Sequence, residues 1–96
     1  MKESEFQNKL IKELKNRFEG CVVLKNDATY KQGIPDLTVL YKDKWACLEV
    51  KISNKANKQP NQNHWVEVLD EMSFGAFIYP ENKEEVLNEL ELLFSS

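Results

Sequence analysis

The run Trp45-Ala46-Cys47-Leu48-Glu49-Val50-Lys51-Ile52 restricts the fold of this chain more than any other stretch. It is apolar except for one acid and one base, and it reads as a strand. Side chains alternate along a strand. Leu48, Val50 and Ile52 therefore face one way, and Cys47, Glu49 and Lys51 the other. Leu37-Thr38-Val39-Leu40-Tyr41 is a second strand, and Lys42-Asp43-Lys44 between them has turn character, so the two form a hairpin. An exposed Glu-x-Lys on a strand is common and by itself means only solvation. Here the pair sits inside an apolar strand, and a Gly33-Ile34-Pro35-Asp36 turn lies upstream, with Asp36 13 residues before Glu49.

The flanks supply helices. Phe6, Leu10, Ile11, Leu14 and Phe18 recur at helical spacing, predicting an amphipathic helix over about residues 4–18, with Ser4 and Gln7 placed for a capping box and Gly20 as its stop. Cys21 to Leu24 is a short β-branched strand, and Lys25 to Gly33 a polar loop. Pro60 suits the first turn of a second helix carrying Trp65, Val68, Leu69 and Met72. Gly75 breaks it, and Ala76-Phe77-Ile78-Tyr79 is a fourth strand. Asn82, with Glu85 at the capping-box position, opens a last helix whose apolar face is Val86, Leu87, Leu90, Leu93 and Phe94. The order is αβββαβα. The fold class is α/β, a mixed sheet flanked by helices, in one domain spanning residues 1–96.

Composition narrows the setting. The chain is 42% apolar and 30% charged, an ordinary globular balance. No apolar run approaches the ~18 residues of a membrane span, and the first residues carry mixed charge and no signal-peptide pattern. Cys21 and Cys47 make neither a disulfide framework nor a zinc motif, so a cytoplasmic, reduced setting is expected. The net charge of −3 is uneven: residues 1–23 carry +1, residues 24–58 carry +3 and residues 59–96 carry −7. A uniformly basic DNA-binding protein is excluded. A basic middle that meets phosphate locally is not.

In the hairpin, Asp36 lies at the open end, opposite the region after Glu49. Two carboxylates in close approach repel and need a compensating cation. Oxygen-only ligands favour Mg²⁺ or Mn²⁺ over zinc. Lys51 beside them is placed to act on a metal-bound water or to stabilise charge on a phosphorane-like centre.

Gly33-Ile34-Pro35-Asp36 followed by Glu49-Val50-Lys51 resembles the PD-(D/E)XK signature of restriction-endonuclease-like nucleases, most closely the small VRR-NUC-type and phage-encoded members. The resemblance covers nearly the whole chain, including the αβββαβ order with a C-terminal helix added. It implies an Mg²⁺-dependent nuclease that hydrolyses phosphodiesters, acting as an endonuclease on branched or flapped DNA. Metal ligation by Asp36, Glu49 and the Val50 carbonyl and a catalytic role for Lys51 come with it. Such nucleases often carry a Gln near the start of the next helix and an aromatic three residues on; Gln62 and Trp65 match. Gln62, Trp65, Leu69 and Met72 also share one helix face, which turns Gln62 toward the carboxylates. The family uses a Glu from the first helix as well. Glu3 and Glu5 are the candidates: wheel phase and the family's spacing to a following Gln select Glu3, whereas Ser4 as N-cap would leave Glu3 outside the helix. Unlike many VRR-NUC members, this chain has a minimal hairpin and no inserted substrate-selecting domain.

Lys25, Lys31, Lys55 and Lys58 flank this site and supply the basic middle, where they are placed to contact DNA phosphates. Tyr30, in the same loop, is read as packing, with base stacking its other open role. His64 reads as a helix-edge residue and Cys47 as packed and unreactive. The acidic last helix is expected to face away from DNA. Few lysines per chain argue for a homodimer, with Trp45, Phe74 or Phe94 as interface area. The runner-up function is a catalytically inactive nucleic-acid-binding or regulatory protein on the same scaffold. A third class is an inhibitor built on the acidic tail.

Overall fold

The computed structural model describes all of residues 1–96. The elements are α1 (Glu3–Arg17), β1 (Val22–Lys25), β2 (Leu37–Tyr41), β3 (Lys44–Val50), α2 (Pro60–Met72), β4 (Gly75–Ile78) and α3 (Lys83–Phe94), in the expected αβββαβα order. The strands form one mixed sheet in the order β1-β2-β3-β4. β1–β2 and β2–β3 are antiparallel, and β3–β4 is parallel, with α2 as the crossover.

Period two along the strands sorts the sheet into two faces. Leu37, Val39, Ala46, Leu48, Val50 and Ile78 lie on one, and α1 and α3 close over them with Phe6, Leu10, Leu14, Phe18, Val86, Leu87, Leu90 and Phe94. Burying each such side chain contributes ~1.5–3 kcal/mol, so this layer carries most of the stability. Phe94 was expected at a subunit interface; it is buried, edge-on to Phe18 at 5.0 Å between ring centroids. Lys83 meets Glu13 at 2.9 Å and Arg17 meets Glu91 at 3.1 Å, tying α3 to α1 across their exposed rims.

The second face carries Thr38, Leu40, Trp45, Cys47, Glu49 and Phe77, and α2 covers its β3–β4 half. The approach is tight at Gly75, where an added Cβ would lie 2.5 Å from the Val66 carbonyl. Only Val66 of α2 is buried, and Met72 is exposed. The contact stripe therefore runs through Gln62, Val66 and Leu69, rotated from the one drawn through Met72. The β1–β2 half of this face stays open, leaving Val22, Leu24 and Leu40 exposed. No helix is long and apolar enough to cross a membrane.

Neither expected capping box forms. The amides of Glu5 and Phe6 close on the Lys2 carbonyl, so Lys2 is the N-cap of α1 and Ser4 lies inside the helix. Asn82 does begin α3, but its side chain accepts from the Tyr79 amide (2.8 Å) and donates to the Phe77 carbonyl (2.9 Å). It is spent on tying the turn back to β4.

Candidate active site

The β2–β3 ladder ends at the pair Leu37–Leu48. One residue further, Asp36 and Glu49 face each other, and their carboxylates take over the role of the ladder. The Asp36 amide donates to Glu49 Oε1 (3.1 Å), and the Val50 amide donates to Asp36 Oδ2 (2.9 Å). Each acid is thus held by a main-chain donor of the opposite strand, which fixes both carboxylates at one end of the sheet. β3 continues past this point against β4, and the Lys51 amide still donates to the Ile78 carbonyl (2.9 Å). Glu49 is 3% exposed and Lys51 9%, the two buried charged residues of the chain.

Gln62 ties these groups together from the first turn of α2. Its Oε1 accepts from Lys51 Nζ (2.9 Å) and from the Gln59 amide (3.0 Å), and its Nε2 donates to Glu49 Oε2 (2.8 Å). An ammonium and an amide N–H only donate, and a carboxylate oxygen only accepts, so the network admits one orientation of the Gln62 amide. Lys51 Nζ is also 3.7 Å from Glu49 Oε2. The residue before β2, the end of β3 with the residue after it, and the first turn of α2 thus bring Asp36, Glu49, Lys51 and Gln62 together.

Burial first, and the neighbouring Asp36 charge second, push the Glu49 carboxyl from the ordinary 4.5 to about 7, against the pull of Lys51. Two carboxylates on hard oxygen donors, one of them disfavoured as an anion by the other, are a donor set that fits a divalent cation of the Mg²⁺ or Mn²⁺ type. The Val50 main chain already takes part, through its amide. The structure gathers no third acid or imidazole into the set. Glu3, at the start of α1, is exposed, as is Glu5, and neither joins Asp36 and Glu49.

The four lysines are placed differently from one another. Lys31 Nζ lies 4.5 Å from the centre of the Trp65 ring, and Lys58 Nζ 4.5 Å from that of Phe77. Both ammoniums are held by aromatic faces beside the site. Lys55 is exposed in the segment joining β3 to α2. Lys25 is level with the site along the sheet, but its pairing with Leu37 sets it on the α1–α3 face at the open edge. It does not share a face with Glu49.

Two supports were not foreseen. Asn26 donates from its amide nitrogen to the Pro35 carbonyl and to Thr38 Oγ1 (2.9 Å each), and its main-chain N–H meets the Asp36 carbonyl (2.8 Å). An Asn after a strand is an ordinary turn residue, so nothing in the sequence marked it. Gly33 has φ +85°, and an added Cβ would lie 2.8 Å from the Asn61 side chain. The glycine of the Gly-Ile-Pro-Asp turn thus seats that turn against the start of α2. His64 is exposed, edge-on to Trp65, and Cys47 is buried, its thiol pushed up by burial.

No protein-family model matches the chain, and no curated protein matches it. Among solved structures, a VRR_NUC domain protein superposes with a TM-score of 0.70 at 17% identity, over 97% of this chain and 90% of that one. The chain has a VRR-NUC-like, restriction-endonuclease-like fold. At that identity the likeness is one of fold.

Proposed function

We propose that this protein is a divalent-metal-dependent nuclease that hydrolyses phosphodiesters in branched or structured DNA, cutting as an endonuclease and working as a homodimer. The observation that carries this reading is the part-buried Asp36–Glu49–Lys51–Gln62 network at the end of the ladder. The shared VRR-NUC-like fold supports a nuclease-like domain.

Asp36, Glu49 and the Val50 carbonyl would hold the cation. When bound, it would neutralise the scissile phosphate and lower the pKa of an attacking water. Lys51 would present its ammonium to that water and to the charge that develops on the phosphate. Gln62 fixes Lys51 and Glu49 relative to each other, so neither side chain has to reorganise during reaction. The main-chain donors on Asp36 and Glu49 keep both acids pointing into the site. Lys31 and Lys58, held on aromatic rings, would meet flanking phosphates together with Lys55.

Incubation of supercoiled plasmid and of flapped, four-way and single-stranded DNA with Mg²⁺, Mn²⁺ or EDTA tests the proposal. Metal-dependent nicking or flap cutting is the expected result. Cutting that persists in EDTA, or none on any substrate, would overturn it.

A further inference from the structure

The loop between β1 and β2 ends one residue before β2 at Asp36, and its tip carries a tyrosine that packs on nothing: Tyr30 is 90% exposed. Of the two roles the sequence leaves open for this ring, packing and base stacking, its exposure removes packing. A ring left in water forgoes the burial that aromatic side chains ordinarily gain. Loop mobility is a poor account of it, because the loop is pinned throughout. Asp27 Oδ1 accepts from the Thr29 amide (2.8 Å) and hydroxyl (2.6 Å). The amides of Tyr30 and Lys31 close on the Asp27 carbonyl, and that of Ile34 on the Lys31 carbonyl. Asn26 holds one end of the loop to Pro35 and Thr38, and Gly33 seats the other against Asn61. Lys31 is anchored over Trp65, one helical turn from Gln62. The fold thus presents a bare ring from a braced loop that leads directly into the catalytic carboxylates.

Asn26, Asp27, Tyr30, Lys31 and Ile34 line a surface dent of about 460 Å³. Asp27 sets that dent against a phosphate. A lining with one aliphatic side chain (Ile34), one aromatic ring (Tyr30) and a single cation (Lys31) suits the flat face of a base, with its phosphate outside. Bases inside a duplex already stack on their neighbours, so only an unpaired one is available to this ring.

We infer that Tyr30 is a stacking platform for one unpaired DNA base beside the scissile phosphate, which makes an unpaired nucleotide the feature by which this enzyme selects its substrate. The inference rests on the nuclease reading for its location but not for its test. The experiment measures binding, with Ca²⁺ in place of Mg²⁺, to a fully paired duplex and to the same duplex carrying a single-stranded flap with 2-aminopurine at its first unpaired position. Wild type, Tyr30→Phe and Tyr30→Ala are compared. Stacking on an aromatic side chain is worth ~1–3 kcal/mol per base, so Tyr30→Ala should bind the flap roughly tenfold or more weakly and lose the quenching of 2-aminopurine. Its affinity for the paired duplex should change less than about twofold, and its melting temperature should match wild type, because the ring supports nothing. Tyr30→Phe should keep both affinity and quenching. Equal weakening on both DNAs, no weakening on the flap, or a Tyr30→Phe variant as weak as Tyr30→Ala would overturn the inference. Cleavage in Mg²⁺ judges the nuclease reading separately. A wild-type protein that quenches 2-aminopurine selectively but never cuts would keep the platform and lose the nuclease.

Discussion

At Glu49, burial and the charge on Asp36 act in the same direction, and the sign of their effect on stability follows. A carboxyl raised from 4.5 to about 7 holds its proton longer in the folded chain than in the unfolded one. The resulting stabilisation is complete below pH ~4.5 and is lost as pH rises through about 7, a swing of up to about 3 kcal/mol. Asp36→Asn removes the repelling charge and keeps an acceptor for the Val50 amide. In EDTA, its melting temperature should therefore exceed that of wild type at pH 8, and the gap should close by pH 5. A constant gap across that range would show that Asp36 is not what disfavours the Glu49 anion. The same pair gives the metal prediction. A cation that binds only the folded state raises the melting temperature, so millimolar Mn²⁺ or Mg²⁺ should stabilise wild type and leave Asp36→Asn unmoved. Equal shifts in both proteins would place the ion elsewhere.

At the scale of elements, the site depends on where β2 begins. Pro35 supplies no amide, the ladder ends at Leu37–Leu48, and the next two amides pair with carboxylates. The approach of the two carboxylates was legible from the hairpin, but a turn read as Lys42-Asp43-Lys44 sets Asp36 opposite the residue after Glu49. Lys44 instead pairs with Tyr41, and the register moves by one to bring Asp36 across from Glu49. Gln62 was legible from helix phase. The remainder was set by partners distant in sequence. Asn82 spends its side chain on Phe77 and Tyr79, so its capping box is lost. The face on which Lys25 falls depends on the β1–β2 register, which an eleven-residue connection does not specify. Met72 was misplaced because α2 settles on the backbone of Gly75, which rotates its buried stripe. Gly33 shows what such packing costs to disturb. Gly33→Ala forces a Cβ onto Asn61 at positive φ and should destabilise the fold by ~2–4 kcal/mol, roughly 10–20 °C in melting temperature. Because the turn seats Asp36, the stabilisation by Mn²⁺ should shrink as well. A variant that melts and responds to metal like wild type would refute the seating role of this glycine.

On the scale of the whole molecule, charge and apolar surface divide by face. The acidic α3 packs on the face opposite α2, so the most negative segment lies away from Lys31 and Lys58. β1 is a free sheet edge, and Val22, Leu24 and Leu40 beside it are 50%, 45% and 38% exposed. If two copies associate as proposed, this stripe along the free edge offers them apolar area; of the residues the sequence pointed to, Phe94 is buried and Trp45 and Phe74 are half-buried. Sedimentation at tens of micromolar should then show a dimer that Leu24→Lys converts to monomer; a wild type that sediments as monomer with and without DNA would remove the dimer from the account. The claim on which the nuclease reading depends is that Lys51 acts in the transition state. Single-turnover cleavage of flapped DNA in Mg²⁺, set beside a binding titration in Ca²⁺, measures it directly for wild type, Lys51→Ala and Lys55→Ala. Lys51→Ala should bind nearly as wild type does and cut roughly 10²-fold or more slowly. Lys55→Ala should bind more weakly, with greater salt sensitivity, and cut normally once saturated. A saturated Lys51→Ala that cuts at the wild-type rate would contradict the account.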